Sequence, residues 1–412
     1  MTRSMRIAYI VPYIPNLIRV RSYNLLVHLA KSGIDVTLFT VSTNERDNAD
    51  VAVLKTKLSN VIARKQPILR SFLNCLSVLP TRTPLQSVFS WNPHLQADFA
   101  REQKREKFDL VHVEHLRGSK YGMMVRAMFP EAPIVWDSVD CISHLFAQTS
   151  ERSRSIMGKF ISTLELNRTR IAEGELTCLF DHILITSPVD RELLLQLSPP
   201  GKVAASVSVL PNGVDLEYFR RNTDQPRDAE TIVFSGKMSY HANVSMADHL
   251  VREIMPKVWK KYPVAKLIIV GKDPPQKVRK FAHDPRVEVT GTVKDIRPYL
   301  WKATVAVVPL VYGAGIQNKI LEAMASKTPV VTTSSAFSGL CGTPGKDALV
   351  GDTAWDFSDA ILRLIESLPL QQEIGKAGYA YVRKYHDWSN VSADLVSIYR
   401  NLIVEKGCQP SA

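Results

Sequence analysis

A lysine and a glutamate three positions apart, Lys319 and Glu322, lie in the stretch "YGAGIQNKILEAMASKTPVV", residues 312–331. It reads as a glycine-rich turn, an apolar helix and the start of a strand. Such a turn feeding a helix offers free backbone N–H groups and the positive end of the helix dipole, which together cradle an anion such as phosphate. Lys319 in the first turn opposes that dipole by about 0.3–1 kcal/mol unless an anion satisfies both. With the lysine first, the Lys319–Glu322 pair has the weaker orientation of an interaction worth roughly 0.2–0.5 kcal/mol at best. A structural salt bridge therefore explains neither charge well. An anion near Lys319 and a polyol near Glu322 explain both, because a carboxylate accepts two hydroxyl hydrogen bonds and suits a ribose or hexose diol.

Other chemistries lack their signatures. The chain has no GxxxxGK[ST] loop, no HExxH, no GxSxG and no aspartates one residue apart to hold a divalent cation beside a diphosphate. No metal site is expected, and no cofactor beyond a nucleotide-linked substrate. "GAGIQN" carries the first two glycines of a dinucleotide fingerprint but Asn318 at the third place, which weakens a nicotinamide reading. Five scattered cysteines without CxxC spacing suggest reduced thiols and a cytoplasmic location. The opening "MRIAYIVPYIP" is too short and proline-broken for a signal peptide or membrane span.

The elements that must position these residues follow from periodicity. At 412 residues the chain suits two domains of ~200 residues each. "RIAYIV", "RSYNLLVHLAKSG" and "DVTLFTV" form a βαβ opening, and "FDLVHVE", "APIVWDSV" and "DHILITS" continue it as a parallel sheet covered on both faces. "SVSVLPN", "ETIVFSG", "AKLIIVG", "RVEVTG", "VAVVPL" and "PVVTTSS" repeat the logic. The linker falls at "SPPGKVAAS", which gives an α/β protein with domains at 1–203 and 204–385. The last helix, within 386–412, has an apolar stripe that packs back on the first domain or finishes the second. Several strands run into glycine (Gly236, Gly271, Gly291), and ligands in open parallel sheets bind beyond such ends.

A net charge of +12 implies attraction to polyanions: nucleic acid, an anionic membrane or phosphorylated small molecules. No nucleic-acid reader module or aromatic-lined groove accompanies it, so nucleic acid is not the expected partner. "IARKQPILRSFLNCL" and "ERSRSIMGKFISTLELNRTR" combine cations with apolar residues at helical spacing. They read either as solvated helix faces or as a peripheral contact with the inner face of a membrane.

Four stretches in order, "SVLPNGVDLEYF", "VFSGKMSYHANV", "VEVTGTVKDIRPYLWKATVAVVPL" and "GIQNKILEAMASKTPVV", resemble glycosyltransferase family 4, retaining enzymes of the GT-B fold with two Rossmann-like domains. The resemblance spans nearly the whole chain and is nearest to sugar transferases of exopolysaccharide clusters associated with exosortase systems. It implies transfer of a hexose from a nucleoside-diphosphate sugar, with uridine preferred, to a hydroxyl acceptor that could be a lipid-linked saccharide. Glu322 matches the second glutamate of the family's pair, which binds the nucleotide ribose; the first is Ala314 here. Lys237 follows Gly236 where the family has a diphosphate-binding arginine, and "HANV" lacks the second base, so Lys319 is expected to replace it. Gly271, Thr292 and Val293 match loops near base and phosphates, with ordinary turn chemistry as the other reading of Gly271. Gly315, Ile316, Gln317 and Asn318 complete the donor loop.

In the first domain, Asp140 is expected where the family's histidine touches the donor sugar, with Asp137 as fallback; either could instead cap the helix "CISHLF". Arg19 and Arg21 stand in place of the family's paired glycines, and one of them is expected to reach the donor or acceptor phosphate as an acceptor-binding residue. Glu114 and His115, beyond a strand end, are further acceptor-binding residues. The resemblance implies attack from the face the nucleotide leaves, with mainly electrostatic catalysis by Lys237, Lys319 and the helix end. A nucleotide-sugar epimerase of the same fold, a non-catalytic sugar-binding subunit and a polyanion-binding protein are the alternatives.

Overall fold

The computed structural model describes residues 4–45, 47–152, 156–221, 227–312 and 315–407. The chain divides into two compact domains, Met1–Pro211 with Trp388–Ala412, and Asn212–Asp387. Their central strands are short apolar runs buried on both faces: all six residues of "RIAYIV" and all five of "TIVFS" are buried. Continuous apolarity of this kind belongs to parallel sheets covered by helices on both sides.

The first domain holds seven strands, β1 (Arg6–Val11), β2 (Asp35–Ser42), β3 (Asn60–Lys65), β4 (Leu110–Glu114), β5 (Ile134–Val139), β6 (His182–Ile185) and β7 (Ser206–Val209). They pair in parallel in the order β3-β2-β1-β4-β5-β6-β7. The second domain holds β8 (Thr231–Ser235), β9 (Lys266–Val270), β10 (Val287–Gly291), β11 (Val305–Val308), β12 (Val330–Thr332) and β13 (Leu349–Val350), ordered β10-β9-β8-β11-β12-β13 and again all parallel. Both windings reverse direction beside their first strand, between β1 and β4 and between β8 and β11. Ligand crevices of open α/β sheets lie at the carboxyl ends of such reversals.

The division falls later than residue 203. "SVSV" is strand β7 of the first sheet, paired with β6 from His182–Ser206 to Ile185–Val209, and not the entry to the second domain. The helix Trp388–Glu405 belongs to the first domain, where Trp388, Leu395, Tyr399 and Leu402 join Leu25 and Leu29 in one core cluster.

Beneath the carboxyl ends of β1, β4 and β5 lies a buried polar network. Arg21 Nε and Nη2 donate to the two oxygens of Asp137 at 2.9 and 3.2 Å, and Nη1 donates to the carbonyls of Leu210 and Pro211. The hydroxyls of Tyr9, Tyr13 and Ser22 donate to Glu114. His112 stacks on Tyr9 and shares a 2.7 Å hydrogen bond with Tyr399 of the last helix. Arg21, Asp137 and Glu114 are each under a tenth exposed. A buried ion pair that loses one partner strands the other charge, so Arg21→Ala should destabilise the first domain by about 3–5 kcal/mol. Urea denaturation followed by tryptophan fluorescence measures this, and Asp137→Ala in the same chain should recover part of the loss. A single-mutant cost below about 1 kcal/mol would show that the pair is not needed.

Candidate active site

In the second domain the site is assembled at the β8/β11 reversal. The helix Asn318–Ala325 buries Ile320, Leu321, Ala323, Met324 and Ala325 and leaves Lys319 and Glu322 half-buried on one stripe, three residues apart. Gln317 precedes it without a side-chain cap and its carbonyl takes the Ile320 N–H at 2.8 Å, so that among the described residues the Asn318 and Lys319 N–H groups stand at the dipole end of the helix. Gly315 turns into it with φ +69, and Gly313 and Ala314 lie outside the described residues.

Lys319 is the electrostatic centre of this site. Its ammonium donates to Asn243 Oδ1 at 2.8 Å and to Gln317 Oε1 at 3.4 Å, both neutral acceptors, with the Phe234 ring 5.8 Å away. Burial lowers its pKa to about 8, against the smaller opposing pull of Glu322. Burial likewise raises the Glu322 carboxyl, partly offset by Lys319, and among the described residues no side chain hydrogen-bonds that carboxylate. Among the described residues the fold thus brings together a desolvated cation without a contacting counter-ion and a carboxylate that accepts no side-chain hydrogen bond.

Asn243 organises the neighbourhood. Its Nδ2 donates to the carbonyl of Lys237 at 2.9 Å while its Oδ1 holds Lys319, so one amide ties the β8 loop to the helix. A Cβ on Gly236 would stand 2.8 Å from that amide nitrogen, and one on Gly271 would stand 1.7 Å from the Gly236 carbonyl oxygen. Both glycines are therefore required by close packing at the ends of β8 and β9. Gly271 has this structural task whatever else it does. Lys237 is exposed beside Gly236. Thr292 is exposed at the end of β10, Val293 packs against the core, and Ile316 is buried just ahead of the helix, which leaves Val293 and Ile316 only their backbone to offer. Asn318 accepts from Asn212 at 3.1 Å.

Sequence reasoning missed Asn243, Tyr312, His241 and Ser245. The Tyr312 hydroxyl, at the end of β11, meets His241 Nδ1 at 2.9 Å and Ser245 Oγ at 3.3 Å, with the two rings stacked. The signal was a buried asparagine three residues into a helix, which must find partners for its amide.

In the first domain, two non-glycine residues adopt left-handed backbone just past strand ends: His115 after β4 (φ +64) and Val139 closing β5 (φ +68). A register shift between β5 and β6 accompanies Val139. Bulges and strained backbone of this kind re-aim side chains and gather at functional sites. Asp140, the next residue, is half-buried, accepts from Thr186 at 3.1 Å, and has its pKa raised to about 7 by burial and by Asp190. His115 is held neutral, its pKa lowered to about 3 by burial and Arg117. Arg19 is exposed over the Tyr13 ring. The expectation that Arg21 and Glu114 bind acceptor is corrected: Arg21 is buried against Asp137 and Glu114 is enclosed by Tyr9, Tyr13 and Ser22. Asp137, the fallback for Asp140, is consumed by Arg21.

The family model described as "Glycosyltransferase Family 4" matches residues 18–218, and "Glycosyl transferases group 1" matches 229–367. The chain belongs to the family 4 glycosyltransferases. No curated protein sequence matches it significantly. Among solved structures, sucrose-phosphate synthase from Thermosynechococcus elongatus superposes with TM-score 0.71 at 19% identity, covering 97% of this chain and all of the other. Anabaena HepE in complex with UDP and glucose gives 0.66 at 14% over 96% and 100%. An epimerase-like structure, described as a putative UDP-N-acetylglucosamine 2-epimerase from Listeria monocytogenes, gives 0.58 at 13% over 98% of each. These likenesses establish the GT-B glycosyltransferase fold for this enzyme.

Lys319 should be detectable directly in this glycosyltransferase. After reductive ¹³C-methylation, one lysine resonance should titrate near pH 8, well below the ordinary 10.5, and vanish in Lys319→Met. If every lysine titrates near its ordinary value, the ammonium is solvated and the electrostatic account of the site fails.

Proposed function

We propose that this glycosyltransferase moves a hexose from a UDP-sugar to a hydroxyl acceptor with retention of anomeric configuration, and that the acceptor is a lipid-linked saccharide in exopolysaccharide synthesis. The observation that carries the donor half of this reading is Lys319: a half-buried ammonium held by neutral acceptors at the open end of a helix calls for an anion. A diphosphate fits it, with Lys237 as a second, exposed cation beside Gly236. Glu322, one turn on, has the free oxygens to accept both hydroxyls of a ribose. The bound UDP of the HepE structure supports uridine as the base.

In the reaction, the bond from the anomeric carbon to the diphosphate oxygen breaks and a bond to the acceptor oxygen forms on the same face. The acceptor proton passes to the departing phosphate oxygen. Lys319, Lys237 and the N–H groups of Gln317, Asn318 and the loop from Gly315 and Ile316 stabilise the charge that grows on the diphosphate. Gly271, Thr292 and Val293 contribute backbone near the base and phosphates. In the first domain, Asp140, with its pKa near neutrality, is the group for a sugar hydroxyl, and Arg19 and His115 are the acceptor-side groups. No metal takes part in this reading.

Calorimetry with UDP, GDP, ADP and TDP, with and without EDTA, tests the donor. UDP should bind best, EDTA should not matter, and Glu322→Ala should weaken binding about tenfold or more. Because Lys319 is protonated only below its pKa, UDP affinity should be full below about pH 8 and fall as pH rises through it. With a UDP-hexose and acceptor, Lys319→Ala should lower kcat about hundredfold while KM changes less. A rise in KM alone would remove its transition-state role. Sugar-nucleotide turnover without any acceptor would favour epimerisation instead.

A further inference from the structure

One helix of the first domain is built inside out. In Ile68–Val78 two polar side chains face the protein: Ser71 is buried and accepts from Gln66, and Asn74 donates to the carbonyls of Val88 and Trp91 at 3.0 and 2.9 Å. The large apolar side chains face away from it. Ile68, Leu69, Phe72, Leu73 and Leu76 expose 71, 64, 58, 55 and 43% of their surface, and Leu79 follows them. Their spacing, at i, i+1, i+4, i+5 and i+8, makes one continuous stripe. Single exposed apolar residues are ordinary, but an apolar stripe covering the outward face of a three-turn helix is not.

The arrangement is fixed by polar contacts. Arg168 Nη2 donates to the Leu79 carbonyl at 2.6 Å and Glu165 Oε2 accepts from the Leu85 backbone at 2.7 Å, so the helix Ile156–Leu176 pins the segment that follows the stripe. The same supporting helix exposes Ile161 and Leu164.

The charge carried by the chain on either side of the stripe has one sign. Residues 51–97 contain Lys55, Lys57, Arg64, Lys65, Arg70 and Arg82 and no aspartate or glutamate. Arg64 is engaged by Asp98, and Arg70 and Arg82 flank the apolar stripe. A protein interface normally mixes both signs at its rim, whereas an apolar strip flanked along the chain by cations alone matches the boundary between acyl chains and anionic headgroups. No helix among the described residues is long and apolar enough to cross a membrane, so the contact would lie in the surface plane.

We propose that Ile68–Val78 is an interfacial helix that docks the first domain on an anionic membrane, its apolar stripe at the headgroup–acyl boundary and Arg70 and Arg82 among the headgroups. This inference rests on the helix alone and stands or falls apart from the sugar-transfer reading.

Flotation of the full chain with vesicles of phosphatidylcholine, and of phosphatidylcholine mixed with phosphatidylglycerol, tests it. The wild-type chain should float with the mixed vesicles and weakly with the neutral ones. Leu69→Glu/Phe72→Glu/Leu73→Glu should lose flotation on both, at least tenfold in partition coefficient. Because these positions are exposed, thermal melting should stay near wild type and verify folding. Arg70→Gln should lower partition on the anionic vesicles only, about fivefold for one cation near the surface. Wild-type failure to float on either vesicle would overturn the proposal. So would concentration-dependent dimerisation that the triple variant abolishes while flotation is unchanged, since the stripe would then belong to a second copy of this chain.

Discussion

Where a parallel sheet reverses its winding, the helices that follow the two central strands leave toward opposite faces, and the backbone beyond those strand ends is left uncovered. Both domains obey this constraint, at β1/β4 and at β8/β11. Locally costly features concentrate around it. In the second domain these are the contact between Gly236 and Gly271, the uncapped helix start and the desolvated Lys319. In the first they are left-handed His115 and, one strand over, left-handed Val139. A fold that needed only to bury its core would have little use for any of them.

Two desolvated cations, one buried and one half-buried, illustrate what the constraint separates. Arg21 lies under the first sheet and meets a bidentate carboxylate and two carbonyls, so its charge is fully answered within the domain. Lys319 lies in the first turn of its helix and, among the described residues, its ammonium donates to amide oxygens. Desolvation bears on both, but only the second is left to be neutralised from outside. The same contrast holds for carboxylates: Glu114 is saturated by three hydroxyls, while Glu322 keeps its acceptor sites.

Most strands were legible because each is a compact apolar run between glycine, proline or polar turns; β3, whose "NVIARK" is largely polar and read as part of a helical run, and the two-residue β13 were not, and the strand order came only from the pairing. The domain division was less so, since "SVSV" looks the same whichever sheet receives it and only pairing with β6 decides. Lys319 and Glu322 could be singled out because two charges at helical spacing interrupt an apolar face near a glycine turn. Arg21 and Glu114 could not be told from ligand-binding residues, because sequence reports charge but not the partners that long-range folding brings. Asn243 escaped for the opposite reason: an uncharged residue can hold a site together without advertising it. The left-handed conformation of Val139 is invisible in sequence because a β-branched residue is the last expected there. In "ILRSFLNCLSV" the helix was readable, but not that its polar side turns inward.

The return of the helix Trp388–Glu405 to the first domain has a consequence for biosynthesis. Trp388, Leu395, Tyr399, Leu402 and Ile403 belong to the same core as Ile7, Leu25 and Val36, residues made at the other end of translation. Residues 212–387 are contiguous and can complete their core while the chain is still being extended. The domain that begins synthesis first must wait with an open hydrophobic surface until the helix Trp388–Glu405 leaves the ribosome. Its early strands are therefore the part of the nascent chain most in need of a chaperone.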